Sequence, residues 1–197
     1  GRMRVDELRR AMARDIAAGA RPMFINATAG TTVLGAFDDV HSIADAVAEQ
    51  TDEHRPWLYV DGCFGGSALF SERLGLLEGV GRADSMVWNL HKMVGATQQC
   101  SVLLASPDDL EVFSTRAEYL FQEDKAFAAL DLGDRTFQCA RRVDSLKAWL
   151  LWKARGSSYF AQRVEHAVAQ ADGFALRVAD DERFAIAAPP SWVNVCF

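Results

Sequence analysis

Four short apolar runs constrain this chain more than any other feature: PMFINAT (22–28), PWLYVD (56–61), ADSMVWN (83–89) and CSVLLAS (100–106). Each is too short for a packed helix and is bounded by glycine, proline or polar residues, which is how buried strands read. Between and around them lie segments of helical spacing. Residues 3–18 form one, stopped by Gly19. Residues 39–50 form another, with apolar residues at Val40, Ile43, Ala44 and Val47. A long amphipathic helix is predicted over 135–156, closed by Gly156, and a further one over about 158–178. Strands apolar on both faces, alternating with helices, predict an α/β fold: a mostly parallel sheet covered by helices. The run at 100–106 is expected to return as a hairpin partner of 83–89. Trp149 and Trp152, at helical spacing, are expected in the core.

Bulk properties exclude several classes of function. The 197 residues, half of them hydrophobic, suffice for one large core or for a large domain and the start of a second. The net charge is −6 with no basic stripe, which argues against nucleic acid as a partner. No apolar run approaches the roughly 20 residues that a membrane span requires. Cys63, Cys100, Cys139 and Cys196 are far apart and read as reduced thiols of a cytoplasmic protein. His41, His54, His91 and His166 show no ligand spacing, so no metal is expected. The GCFGG turn lacks the ending of a phosphate loop.

In α/β sheets ligands gather at the carboxyl ends of the strands. Here those ends deliver the Thr/Gly loop after residue 28, Asp61, and the trio Asn89, His91 and Lys92. A strand-end lysine can form a Schiff base, and pyridoxal 5'-phosphate is the cofactor that uses one. Its ring nitrogen wants a carboxylate neighbour, for which Asp61 is the candidate. The residues alone leave blander readings open: a strand-end Asp is often a helix cap or metal ligand, and Lys92 could simply face water.

Beyond these single residues, longer blocks carry a resemblance. TAGTTVLGAFD (28–38), WLYVDGCFGGSALFS (57–71), RADSMVWNLHKMVGATQQCSVLL (82–104), EYLFQEDK (118–125), LGDRTFQCARRVDSLKAWLLWKARG (132–156) and NVCF (194–197) resemble the group II pyridoxal-phosphate-dependent amino acid decarboxylases. Within that group they are most similar to the cysteine sulfinate, aspartate and glutamate decarboxylase branch. The resemblance implies part of the large domain of a fold type I enzyme, with 1–156 belonging to the cofactor-binding domain and 157–197 forming a connecting helix and the start of a small C-terminal domain. It implies that Lys92 forms the internal Schiff base and Asp61 pairs with the pyridinium nitrogen. His91 would lie beside the cofactor, Asn89 would contact its phosphate, and Thr32 would place a hydroxyl near it. Cys63 would stand where the family has a small alanine against the ring. Tyr119, on a mobile loop, would protonate Cα after carbon dioxide leaves, and Asp38 would be structural. The implied activity is decarboxylation of a small acidic amino acid, with the substrate open among cysteine sulfinate, aspartate and glutamate. A homodimer is implied for the full-length protein, and Arg141 and Arg142 would be solvated or pair across its boundary.

The chain also departs from the family pattern. Leu90 replaces a proline that would stiffen the approach to the lysine. Gly62, Cys63 and Phe64 replace Ala-Ala-Trp, and glycine is expected to loosen that turn. Family members are more than twice this length, so the resemblance implies truncation at both ends, and this piece alone is expected to be inactive. The alternative is a non-catalytic remnant that keeps fold and interface only.

Overall fold

The computed structural model describes residues 1–114, 117, 119, 121–122, 124–131, 133, 136 and 142–197. Cys139, Arg141 and most of the predicted helix before residue 142 lie outside the described residues. The four apolar runs are strands: β1 (Phe24–Thr28), β2 (Trp57–Gly62), β3 (Ser85–Asn89) and β4 (Ser101–Ala105). They form one sheet in the order β1-β2-β3-β4. The first three are parallel, and β4 returns antiparallel to β3, as the hairpin reading expects.

Alternation within the strands decides which face is covered. Ile25, Ala27, Leu58, Val60 and Met86 point to one face and are buried in the main core. Helix α1 (Val5–Ala17) and helix α2 (Val40–Ala48) pack there through Met12, Val40, Ile43 and Val47. Each such side chain contributes about 2 kcal/mol by leaving water. Asp39 caps α2 by accepting from the Ser42 N–H at 3.0 Å. Asp38 is structural, as expected: its carboxylate accepts from the Thr28 N–H at 2.7 Å and the Met3 N–H at 2.6 Å, tying the loop after β1 back to the strand and to the N-terminal segment.

After β4 come a short helix, α3 (Pro107–Leu110), and a long one, α4 (Asp144–Ala179). Gly156 (φ 74°, ψ 168°) breaks α4 into the two predicted helices, but the first of them begins at Asp144, after a non-helical Val143. Trp149 is not in the core: it is 57% exposed. The half-buried face of the first segment is set by Ala148 and Leu151. At 100° per residue Trp149 is turned well away from that face, beside the exposed Leu146 and Leu150. Trp152 also falls short of the core, at 39% exposed, though its ring stands edge-on against Phe70 and Phe160. The chain then closes with a hairpin of β5 (Ala188–Ser191) and β6 (Asn194–Cys196). Trp192 at its turn is buried against Phe37 and Phe64.

The glycine turn after β2 is tight, not loose. Gly62 is the last residue of β2, and a Cβ there would lie 2.2 Å from Met86 Cε and 2.9 Å from the Val87 carbonyl oxygen. The close approach of β3 therefore demands glycine, and the expectation of a loosened turn is corrected. Gly65 is tighter still. Its N–H donates to Ala29 O at 2.9 Å, and a Cβ would sit 2.5 Å from both that oxygen and Phe37 Cζ. Gly65→Ala is expected to destabilise the protein by about 1–3 kcal/mol through overpacking, seen as a lower urea midpoint at unchanged slope. An unchanged midpoint would show that the two strand-end loops can separate freely.

Candidate functional site

Parallel pairing puts the carboxyl ends of β1, β2 and β3 on one edge, and register fixes which side chains share a face. Thr28 pairs with Asp61, and Asp61 with Val87. Asn89, two residues beyond Val87, therefore projects from the same face as Asp61. That face is the less covered one: Tyr59 and Asp61 are only partly buried.

Cys63 shows how close the chemistry comes together. Its backbone N–H donates to Asp61 Oδ1 at 3.0 Å. Burial pushes its thiol up to about 11, Asp61 adding to the rise by hydrogen bond and charge, while the Lys92 charge and an Asn89 hydrogen bond pull it down. One thiol thus feels Asp61, Asn89 and Lys92 at once. Tyr59, two residues before Asp61 on the same face, is also pushed up, by burial first and then by Asp61 and Cys63. At pH 9 a thiol of this kind has about fiftyfold less thiolate than an ordinary one, partly offset by higher intrinsic nucleophilicity. Alkylation of Cys63 is accordingly expected to run about tenfold slower than that of a free cysteine peptide, and to rise as pH climbs through about 11. Equal rates at pH 9, read by peptide mass mapping, would contradict the burial of the thiol beside Asp61.

Lys92 is exposed, whereas its successors Met93 and Val94 are buried. The lysine between two apolar strands is thus the residue its loop turns outward. The Lys92 N–H donates to Asn89 O at 3.2 Å, closing the turn after β3. Its Nζ stands 5.8 Å from the centre of the Phe64 ring. No carboxylate lies within 4 Å of it among the described residues, nor does any cation lie that close to Asp61. Amine and carboxylate therefore both act on the same thiol without forming an ion pair with each other.

The loop that carries Lys92 is anchored by a second small core of Leu90, Val94, Ala96, Cys100 and Phe160. Leu90 is 1% exposed, and its carbonyl accepts from the Ala96 N–H at 3.1 Å. Burial of Leu90 thus supplies the stiffness that its departure from proline would remove. His91 is committed to the same loop: its Nδ1 sits between the Cys100 N–H at 3.0 Å and the Cys100 carbonyl oxygen at 2.9 Å.

Thr32 stands on the loop after β1, exposed at the same edge. Its carbonyl, and that of Val33, accept from Asn194 Nδ2 at 2.9 and 3.0 Å, so the C-terminal hairpin holds that loop. Tyr119 is 83% exposed, with no contact to Asp61, Cys63 or Lys92. The structure therefore brings Asp61, Cys63, Asn89 and Lys92 together, keeps Thr32 and His91 on the neighbouring loops, and leaves Tyr119 apart. Asn194 and the Phe64 ring were not singled out from the sequence as parts of the site; NVCF was legible only as a block. No group of three or more potential metal ligands occurs among the described residues, and no helix is long and apolar enough to cross a membrane.

Known proteins share this fold and much of this sequence. The family model described as "Pyridoxal-dependent decarboxylase conserved domain" matches residues 1–197. Human cysteine sulfinic acid decarboxylase is 43% identical over 202 residues, covering all of this chain and 40% of that protein. The crystal structure of the mouse enzyme superposes with a TM-score of 0.87 at 40% identity, again over 100% of this chain and 40% of the other. The Oryza sativa tryptophan decarboxylase solved with PLP and tryptamine gives 0.86 at 29% identity, over 98% and 39%. The chain thus spans about 40% of the length of the relatives it matches.

Proposed function

The chain belongs to the pyridoxal-dependent decarboxylase family, and on that premise we propose that its strand-end cluster is the cofactor site of a carboxy-lyase acting on a small acidic amino acid. Cysteine sulfinate, aspartate and glutamate are the candidate substrates. The observation that carries the reading is that Asp61, bonded to the Cys63 N–H, and Lys92 both act on Cys63 without forming an ion pair with each other. The donor set suits pyridoxal 5'-phosphate: a free amine for its aldehyde carbon, a carboxylate for its ring nitrogen, and the Asn89 amide at the strand end for its phosphate. When bound, this group supplies an electron sink for the pair left on Cα as carbon dioxide departs.

The chain's own residues do the rest. The Cys63 N–H holds one carboxylate oxygen of Asp61, and the carboxylate would pair with the cofactor's ring nitrogen. Lys92, exposed on its loop, would hold the cofactor through its amine. Cys63 and the loop of Thr32 would border the cofactor, and His91 stiffens its own turn through Cys100. Tyr119 Oη would deliver a proton to Cα. Assembly as a homodimer, a domain boundary at Gly156 and a cytoplasmic setting belong to the same reading.

The test is direct. Full-length protein incubated with pyridoxal 5'-phosphate and then borohydride should carry a reduced pyridoxyl group on Lys92, located by peptide mass mapping, and should release carbon dioxide from one of the three acids. Label confined to other lysines, or none at all, would refute the assignment.

A further inference from the structure

Lys92 can serve only if its backbone is held, and the covalent neighbours do not hold it alone. Arg163, on the second segment of α4, donates from Nε to the Met93 carbonyl at 2.8 Å. That carbonyl belongs to the residue directly after Lys92, in a turn where few strand partners remain. The guanidinium also lies flat over Gly95: a Cβ there would meet Nη2, Cζ and Nε at 3.3, 3.4 and 3.6 Å. Gly95 has φ +83°, the left-handed region that glycine favours. The glycine therefore serves two ends, turning the loop and clearing space for the arginine plane. Phe160 and Val164, both fully buried, fix the helical turn on which Arg163 stands. On the far side of the same loop, Lys147 Nζ donates to Gln99 O at 2.8 Å and is itself fixed by Asp144. The loop is thus gripped at both ends by α4, 48 and 70 residues away along the chain.

We propose that Arg163 is a positioning residue for Lys92: by bonding the Met93 carbonyl and lying over Gly95, it sets the backbone from which the lysine amine reaches the cofactor aldehyde. The inference rests on the cofactor reading above. Arginine suits the task because its planar fork is preorganised and can bond a carbonyl while stacking on peptide. Lysine could supply the hydrogen bond without the plane, and a Cβ at Gly95 would displace the plane without touching the charge.

Two measurements on the full-length protein test this. Hydrogen exchange of the 92–99 amides reads the anchor without cofactor. Arg163→Met should speed exchange there by about tenfold while leaving core-strand amides unchanged, and Arg163→Lys should fall between. Borohydride trapping of pyridoxal 5'-phosphate on Lys92 then reads the consequence. Trapping should slow several-fold in Arg163→Met and in Gly95→Ala, recover in part in Arg163→Lys, and be accompanied by a weaker induced circular dichroism of the bound ring; Gly95→Ala, strained at φ +83°, should also melt lower. Unaltered exchange in Arg163→Met overturns the inference, as does wild-type trapping speed in that variant. A wild-type protein that takes no label on Lys92 sinks the cofactor reading instead, and the positioning role with it.

Discussion

Replacing Asp61 by asparagine is expected to weaken retention of pyridoxal 5'-phosphate by about a hundred- to a thousandfold, corresponding to about 3–4 kcal/mol for truncating one side of a partly desolvated, hydrogen-bonded charge pair. The substitution is close to isosteric. Its amide oxygen can still accept from the Cys63 N–H that meets Oδ1 at 3.0 Å in the parent protein. It removes the charge and leaves the shape, so the effect isolates the electrostatic role given to Asp61. A second readout needs no cofactor. Burial is the main reason that the Cys63 thiol is pushed up to about 11, but Asp61 adds to it by hydrogen bond and charge. Asp61→Asn should therefore lower that thiol's titration and speed its alkylation at pH 9. Titrating the cofactor by equilibrium dialysis gives the first number, and peptide mass mapping the second. Retention within about threefold of wild type, together with faster alkylation, would mean that the carboxylate is where the fold puts it but does not hold the ring.

The two outcomes separate because the fold and the chemistry were legible to different depths. Strands β1 to β3 stand where the apolar runs predict, since parallel strands buried on a covered face give nearly continuous apolar runs; β4, antiparallel, keeps its place but not its burial, with Leu103 49% and Leu104 47% exposed. Asp61 and Lys92 could be singled out for a related reason: ionisable residues at the ends of such runs have few structural excuses. The supports of the site were not legible. Met93 and Arg163 are 70 residues apart, and Thr32 and Asn194 are 162 apart. Nothing in local periodicity joins them. The glycine at position 62 looked like a loosened turn because its reason lies in another strand, in Met86 and the Val87 carbonyl. Leu90 looked like a loss because its compensating burial depends on where α4 crosses the lysine loop. Trp149 failed for the same cause: helical spacing marks an apolar stripe, but the neighbours decide how much of it is covered.

Phe160→Ala is expected to cost about 3–5 kcal/mol, because the side chain is fully buried and its removal leaves a cavity that two packed elements must share. One side of that cavity is aromatic. Phe70, Trp152 and Tyr159 have ring centres 5.1, 5.2 and 5.9 Å from Phe160, in tilted or edge-on contacts that add to simple burial. The other side is the anchor of the lysine loop, Leu90, Val94, Ala96 and Cys100. Loss of the ring should therefore do more than lower the urea midpoint. The second segment of α4 carries Arg163 one turn beyond Phe160, so a slack helix also loosens the grip on Met93. Phe160→Leu, which keeps most of the volume, should recover most of the midpoint. Val40→Ala supplies the control, since Val40 is equally inaccessible but belongs to the main core beneath β1 and β2. At a denaturant concentration that equalises global stability, Phe160→Ala should still exchange its 92–99 amides faster than Val40→Ala. If the two variants exchange alike there, the small core stabilises the fold as a whole and confers no local order on the lysine. If they differ, the packing of a residue far from any polar contact governs how often the amine at position 92 faces Asp61.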